Sequence, residues 1–327
     1  MGKRDLKNFQ VLVTPKSWGI SDSRLISELE KSVGKVIFNK SSRPMSEEEL
    51  IAVIPEVDGL IAGLEEINCR VIESASKLKV ISRYGVGVDR VDLKTAAAHG
   101  IIVTNTPQAN SASVAELTVG LILALIRKIC ELNEKTKSGQ WVLMNAISLR
   151  NKTVGLVGYG AIGTEVAKRL VPFGCNILVY DPYVNENKHA NLTVTFCEMG
   201  TLINQSDVIS LHLPATEKTI GMVNASFLES MKKGAVLINT ARGELLDQNA
   251  VYEMLASGHL GGLAMDVYLE EPPKPNFPLF KFNNVIATPH TSAHTDDSVN
   301  SMGWMAFNDC LAVLRGDTPE HPVKISE

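Results

Sequence analysis

The chain has 327 residues, 45% of them hydrophobic, which is enough for two domains with real cores and excludes a disordered or fibrous chain. Its 32 Lys and Arg against 36 Asp and Glu give a formal charge of −4 with no basic block, so nothing invites nucleic acid or an anionic membrane surface, and the expected ligand is small. Five scattered cysteines, never in a C-x-x-C pair, argue against a disulfide framework or a zinc site and for a reducing, cytoplasmic setting.

The amino terminus, Met1-Gly2-Lys3-Arg4-Asp5, runs into an apolar strand without a signal-peptide core. Short β-branched runs at 10–13, 35–38, 57–61, 79–82 and 101–103 predict strands, with helices at 21–33, 46–53, 69–75 and 92–98 between them. This alternation predicts a parallel sheet covered on both faces. A longer apolar helix is expected over 111–128 as a bridge between domains; its most apolar stretch, 117–126, is too short to cross a bilayer. A second alternation opens at Thr153, with strands at 153–157, 177–180, 194–196, 208–211, 236–239, 262–265 and 285–287, and reads as a doubly wound α/β domain. The final helix, 296–314, precedes a polar tail and has no sheet of its own to cover. It is expected to return to the first domain, which makes that domain discontinuous.

In mid-chain, Leu156-Val157-Gly158-Tyr159-Gly160-Ala161-Ile162-Gly163 reads as a strand turning on glycines into a helix. Gly158 permits the tight turn, Gly160 lets the backbone approach a pyrophosphate, and Gly163 allows the helix to pack on its strand. The helix amino terminus, entered through Tyr159, Ala161 and Ile162, supplies an anion site. A bare G-x-G-x-x-G also suits an ordinary glycine turn, but here a strand precedes it, a helix follows, and the next strand ends in Val179-Tyr180-Asp181. Asp181 stands where such a unit places a carboxylate for the adenosine ribose, and its charge favours NAD over NADP. The alternative is that Asp181-Pro182 only starts a turn.

Polar residues sit just past the later strands, where an open α/β sheet places its ligand crevice. His212 and Pro214 follow one strand, Thr240-Ala241-Arg242-Gly243 another, Asp266 a third and Pro289-His290 the last. Arg242 offers a planar, permanently charged fork for a carboxylate and its adjacent carbonyl. Histidine ordinarily titrates near neutrality, so His290 can give a proton to a developing alkoxide and recover it. Glu270-Glu271 could fix its ring. Read alone, Arg242-Gly243 also suits a surface turn, the glutamates a solvated loop, and His290 a core histidine. His290 and His294 have the spacing of a metal pair on a helix, but Pro289 favours extended backbone and no third ligand is evident, so no metal is expected.

Several motifs together carry a family resemblance: Arg83-Tyr84-Gly85-Val86-Gly87-Val88-Asp89, Asn105-Thr106-Pro107 through Asn110-Ser111, Val114-Ala115-Glu116-Leu117, the glycine run, Asn239-Thr240-Ala241-Arg242-Gly243, Asp266-Val267 with Glu271-Pro272, and Thr288-Pro289-His290. In that order they make the chain resemble the D-isomer-specific 2-hydroxyacid dehydrogenases over nearly its whole length, most of all the phosphoglycerate dehydrogenases. The resemblance implies two doubly wound domains: a Rossmann NAD-binding domain at 111–292, inserted in a discontinuous flavodoxin-like substrate domain made of 1–110 and 293–327, with the catalytic cleft at the hinge. It makes Arg242 the residue that orients substrate, His290 the acid/base and Glu271 its paired carboxylate. Around them it implies a cofactor site of the glycine run with Asp181, His212, Pro214, Thr240, Ala241 and Asp266, and a carboxylate loop at Arg83, Val86 and Gly87. It further implies a cytoplasmic homodimer acting on 3-phosphoglycerate/phosphohydroxypyruvate in serine biosynthesis, with glyoxylate or hydroxypyruvate reduction as the alternative and an NAD-sensing corepressor-like scaffold as the reading from another class. The chain departs from the pattern at Gly63, near which some phosphoglycerate dehydrogenases carry a phosphate-binding arginine, and at Thr291-Ser292-Ala293, which replaces a glycine-rich continuation. It also ends at Glu327, where some members go on into a regulatory domain.

Overall fold

The computed structural model describes residues 4–41, 43–184 and 192–324, so the first three residues of the amino-terminal run fall outside it. The chain forms two compact units, Met1–Asn110 with His294–Glu327, and Ser111–Ala293.

In the first unit, β1 (Gln10–Val13), β2 (Lys35–Phe38), β3 (Gly59–Ala62), β4 (Val80–Arg83) and β5 (Ile102–Thr104) pair in parallel in the order β2-β1-β3-β4-β5. This is the flavodoxin-like order: the chain winds one way from β1 to β2 and the other way from β1 to β3, which makes the β1/β3 edge the switch point. Every residue of β3 and β4 is buried, as in strands covered on both faces. The strands are joined through α1 (Arg24–Ser32), α2 (Glu47–Val53), α3 (Cys69–Ser74) and α4 (Leu93–Ala98). α2 opens on a capping box in which the Ser46 hydroxyl accepts from the Glu49 amide and the Glu49 carboxylate from the Ser46 amide.

The second unit begins with α5 (Ser111–Ile126) and α6 (Ile129–Lys137). Its sheet strands are β6 (Thr153–Val157), β7 (Asn176–Tyr180), β8 (Thr195–Phe196), β9 (Val208–Leu211), β10 (Val236–Asn239), β11 (Gly262–Met265) and β12 (Val285–Ala287). Helices α7 (Ala161–Leu170), α8 (Met199–Gln205), α9 (Ala225–Ser230) and α10 (Gln248–Ala256) lie between them in the chain. All strands run parallel in the order β12-β11-β10-β9-β6-β7-β8, a Rossmann sheet whose direction of winding reverses between β6 and β9. The long helix expected over 111–128 ends earlier, because Lys128 turns left-handed (φ 55°) and starts α6. Nor is α5 only a bridge: it packs on α7, β10, β11 and β12 as a layer of this unit.

The last helix, α11 (Asp296–Arg315), packs on β3, β4 and β5 of the first unit. It is capped by the Thr295 hydroxyl, which accepts from the Ser298 amide, and ends on left-handed Gly316. Its apolar face buries Met302, Ala306, Phe307, Cys310 and Leu314, and Ser82 of β4 donates to the Ala306 carbonyl at 2.9 Å. The polar tail beyond it is tied to this unit: Val323 donates to the Val103 carbonyl at 2.8 Å, and the His321 ring bonds buried Asp309 at 3.0 Å. Several predicted strands of the first sheet slide one or two residues toward the carboxyl terminus. The 57–61 run, for example, starts at Gly59, because the Val57 amide closes the preceding 3₁₀ turn, Ile54–Glu56, on the Ile54 carbonyl at 3.0 Å. Among the described residues no helix is long and apolar enough to cross a membrane.

Candidate active site

The second unit gathers its chemistry at the carboxyl ends of β6, β7 and β9 to β12. After β6, Gly158 adopts φ 96°, and a Cβ there would stand 2.3 Å from the His212 carbonyl oxygen. Only glycine fits both demands. Gly160, the N-cap of α7, has open space where its Cβ would be, and Ala161 beside it is exposed, so a ligand can come up to this backbone. Gly163 faces the Gly158 carbonyl at a separation no side chain tolerates. Tyr159 is buried edge-on against Phe196, and Ile162 is half-buried.

Asp181, just past β7, accepts from the Tyr159 amide at 2.8 Å and the Tyr183 amide at 2.9 Å, one on each carboxylate oxygen. Each oxygen keeps a second lone pair, so the group is fixed in place and can still accept from a ribose hydroxyl. An open helix amino terminus with a held carboxylate on the next strand fits a dinucleotide without a 2′-phosphate.

At the switch point, His212 donates its amide to the Val157 carbonyl at 2.7 Å, and its Nε2 is buried with no partner among the described residues. Desolvation pushes this imidazole down to about 3, so it is neutral under ordinary conditions although part of the residue remains at the surface. Pro214 is exposed, its carbonyl held by the Thr219 hydroxyl at 2.7 Å.

After β10 the buried Asn239 side chain ties a knot, donating to the Arg242 carbonyl at 2.8 Å and accepting from the Ala241 amide at 3.1 Å. Thr240 is pinned from behind by Thr118 of α5 at 2.8 Å. Arg242 is therefore presented on fixed, extended backbone, half-buried, with Nη1 on the Ala241 carbonyl at 2.7 Å. Gly243 follows because the backbone of Tyr268 and Leu269 lies where a Cβ would go, a contact of 2.1 Å. That approach brings the β10 loop against the loop that carries Glu271.

His290, beyond β12, sits in the left-handed region (φ 49°) with Nδ1 2.9 Å from both oxygens of Glu271. The side chains are 23% and 13% exposed, so the pair is sheltered but reachable. With Nδ1–H donated to the carboxylate, Nε2 is the ring nitrogen left for proton exchange. The Tyr268 amide donates to Glu271 Oε1 at 3.1 Å, and the Tyr268 hydroxyl donates to the Thr288 carbonyl at 2.9 Å. Burial first, then the charges of Asp266 and Glu271, push the Tyr268 phenol up to about 12, so it stays a neutral donor. Glu270, the other glutamate of the pair, is exposed and meets Lys274.

Asp266 is fully buried, and its carboxylate accepts from the Thr288 hydroxyl at 2.6 Å and the amides of Thr291 and Ser292 at 2.9 Å each. Expected among the cofactor contacts, it stands in the structure as the brace of the loop that bears His290. Sequence reasoning missed this role, and those of Tyr268 and Thr118, because nothing local marks them. Among the described residues no His, Cys, Asp and Glu side chains cluster as a metal site.

The predicted carboxylate loop belongs to the first unit. Arg83 is buried there, with Nε on the Gly87 carbonyl and Nη1 on the Ala62 carbonyl, both at 3.2 Å. Asn105 donates to the Val86 carbonyl at 2.8 Å and the Thr106 amide to the Gly85 carbonyl at 3.0 Å. The carbonyls of Gly85, Val86 and Gly87 are thus held by the protein's own donors.

Residues 119–292 match the family model of the D-isomer specific 2-hydroxyacid dehydrogenase, NAD binding domain. A D-3-phosphoglycerate dehydrogenase of Archaeoglobus fulgidus is 38% identical over 275 residues, 83% of this chain and 52% of that protein. A glyoxylate reductase of Thermofilum pendens is 39% identical over 302 residues, 90% of this chain and 89% of its own length. This chain thus spans about half of the first relative and most of the second. Among solved structures, the TT0316 protein of Thermus thermophilus superposes with a TM-score of 0.86 at 36% identity, covering 96% of this chain and all of that one.

Proposed function

The chain belongs to the D-isomer specific 2-hydroxyacid dehydrogenase family, and on that premise we propose that it catalyses reversible, NAD-linked interconversion of a small D-2-hydroxy acid and its 2-keto acid. The observation that carries the proposal is His290 Nδ1 on both Glu271 oxygens at 2.9 Å, close in the fold to the rigidly presented Arg242. The α7 amino terminus and Asp181 would hold NAD(H), which when bound would supply or take up a hydride at C2. In the reductive direction His290 Nε2 gives its proton to the C2 oxygen, and in the oxidative direction it takes that proton back. Glu271 holds the ring in one tautomer and steadies the imidazolium. Arg242 grips the carboxylate and the adjacent C2 oxygen.

Two substrate readings follow the relatives: phosphohydroxypyruvate, after the phosphoglycerate dehydrogenases, and glyoxylate or hydroxypyruvate, after the reductases. The test is a panel of NADH-oxidation assays over phosphohydroxypyruvate, hydroxypyruvate, glyoxylate and pyruvate, repeated with NADPH. His290→Gln is expected to lower kcat by about 10²–10⁴-fold, the usual worth of a general acid–base. Turnover within a few-fold of the parent overturns the assignment, and NAD-dependent assembly without turnover favours a scaffold. The exposed apolar run Trp141, Val142 and Leu143 after α6 supports pairing of two copies through this unit. The five free cysteines accord with the cytoplasm.

A further inference from the structure

His290 takes left-handed backbone, φ 49°, without being glycine. Such residues are uncommon in that region, and their surroundings hold them there. The nearest hold is the Thr288 carbonyl, which accepts from the His290 amide at 3.1 Å across Pro289 and so closes a tight turn. That oxygen accepts a second time, from the Tyr268 hydroxyl at 2.9 Å, and both its lone pairs are then filled. Tyr268 reaches the other half of the pair as well. Its amide donates to Glu271 Oε1 at 3.1 Å, and Glu271 holds His290 Nδ1 with both oxygens at 2.9 Å. One residue of the β11 loop thus grips the carboxylate by its backbone and the histidine's turn by its side chain. The span between these grips is fixed. Tyr268 is 5% exposed, and its ring lies edge-on to Phe277 and Phe280 with centroids at 6.0 and 6.2 Å. A phenol pushed up to about 12 keeps its proton throughout the neutral range, so the hydroxyl remains a donor. A phenylalanine would make the same ring contacts, so packing alone does not call for the hydroxyl.

Resting on the functional reading above, we propose that the Tyr268 hydroxyl is a positioning group for the acid/base: by donating to the Thr288 carbonyl it holds His290 in its left-handed turn, at the place where the Tyr268 amide holds Glu271. It acts through His290 rather than on the reacting atoms. The hydroxyl keeps the ring on the carboxylate so that Nε2 stands ready for the proton. Without it, the Thr288 carbonyl keeps only the His290 amide, and the turn can open while the carboxylate stays anchored. The step that suffers is proton exchange with the C2 oxygen. Cofactor binding is not expected to follow, since Asp181 is fixed by other amides, those of Tyr159 and Tyr183.

The test is Tyr268→Phe, assayed by NADH oxidation with the fastest acid of the panel. The ring contacts and the amide bond to Glu271 remain, and only the hydroxyl is lost. kcat is expected to fall about tenfold or more, toward the roughly 10²-fold effect of a misplacement of about 1 Å, while KM for NADH stays within about twofold. The solvent deuterium isotope effect on kcat should rise, because the proton step has become slower relative to the others. A merely structural role would lower the amount of competent enzyme and leave the isotope effect as in the parent. A second arm repeats the change in His290→Gln, where the hydroxyl has no acid/base left to position; there Tyr268→Phe should alter kcat by less than about twofold. Parental kcat in Tyr268→Phe, an unchanged isotope effect, or an equal loss in both backgrounds overturns the inference and leaves the dehydrogenase reading intact. Absence of turnover by the parent with every acid overturns that reading and this one with it.

Discussion

Replacing Asp266 by Asn probes whether the acid/base histidine depends on a buried brace. The carboxylate holds Thr288, Thr291 and Ser292 at 2.6, 2.9 and 2.9 Å with no exposure to solvent. An amide keeps one acceptor oxygen. Whichever way it is turned, its NH2 faces a backbone N–H of Thr291 or Ser292, and that donor loses its partner at a cost of about 1–3 kcal/mol. The surviving bonds fall from charge-assisted to neutral, about 1 kcal/mol each. The sum, about 3–5 kcal/mol, acts on the loop that fixes His290 against Glu271. Urea unfolding should register the part that reaches global stability. Loosening of the loop should lower kcat by roughly 10²-fold, since a misplacement of about 1 Å has that effect. Thr288→Val, which removes the 2.6 Å bond and the hydroxyl's longer 3.5 Å bond to the Met265 carbonyl, should cost about 1.5–3 kcal/mol. The phenol of Tyr268, held up partly by the Asp266 charge, should titrate lower in the Asn variant when followed by ultraviolet absorbance. An Asn variant within about 0.5 kcal/mol of the parent, with unchanged kcat, would refute the brace.

Gly158→Ala must place a Cβ 2.3 Å from the His212 carbonyl at φ 96°, so a loss of at least about 2 kcal/mol in urea and weakened NADH binding by fluorescence titration are expected; near-parental values would contradict the turn geometry. His212 titrates near 3 in the fold and near 6.5 when unfolded, so between those values the unfolded chain binds the extra proton and stability falls as pH falls. From pH 7 to pH 5 the loss should be about 2 kcal/mol, and His212→Asn should flatten the profile by that amount; parallel profiles would show that the ring is not held neutral. Trp141→Asp with Leu143→Asp should shift the assembly toward monomer in light scattering without lowering the unfolding midpoint of the monomer, because both side chains are almost fully exposed in the single chain, at 87% and 92%. A parent that is already monomeric refutes the pairing.

The parallel sheets were legible because most of their strands are short apolar runs bounded by turn residues, and the seven strands of the second sheet fall within a residue of the runs read as strands. The turn at Gly158 and the residues after β9 to β12 were legible for a related reason: glycine and the polar types stand out at the ends of apolar strands. What stayed hidden is pairwise and non-local. Asp266 reads as one acid after a strand, and only the parallel pairing of β11 with β12 sets it beneath Thr288, Thr291 and Ser292. His290 and Lys128 adopt left-handed backbone without the glycine that would announce it. Tyr268 shows the same limit most clearly, for in the run Asp266-Val267-Tyr268-Leu269 it looks like one more apolar ring after a strand. Its hydroxyl finds the Thr288 carbonyl beyond the next strand, and Thr288 comes close only because β11 pairs with β12. A sequence therefore exposes a functional residue when its own element marks it, and conceals it when a neighbouring strand gives it its partner.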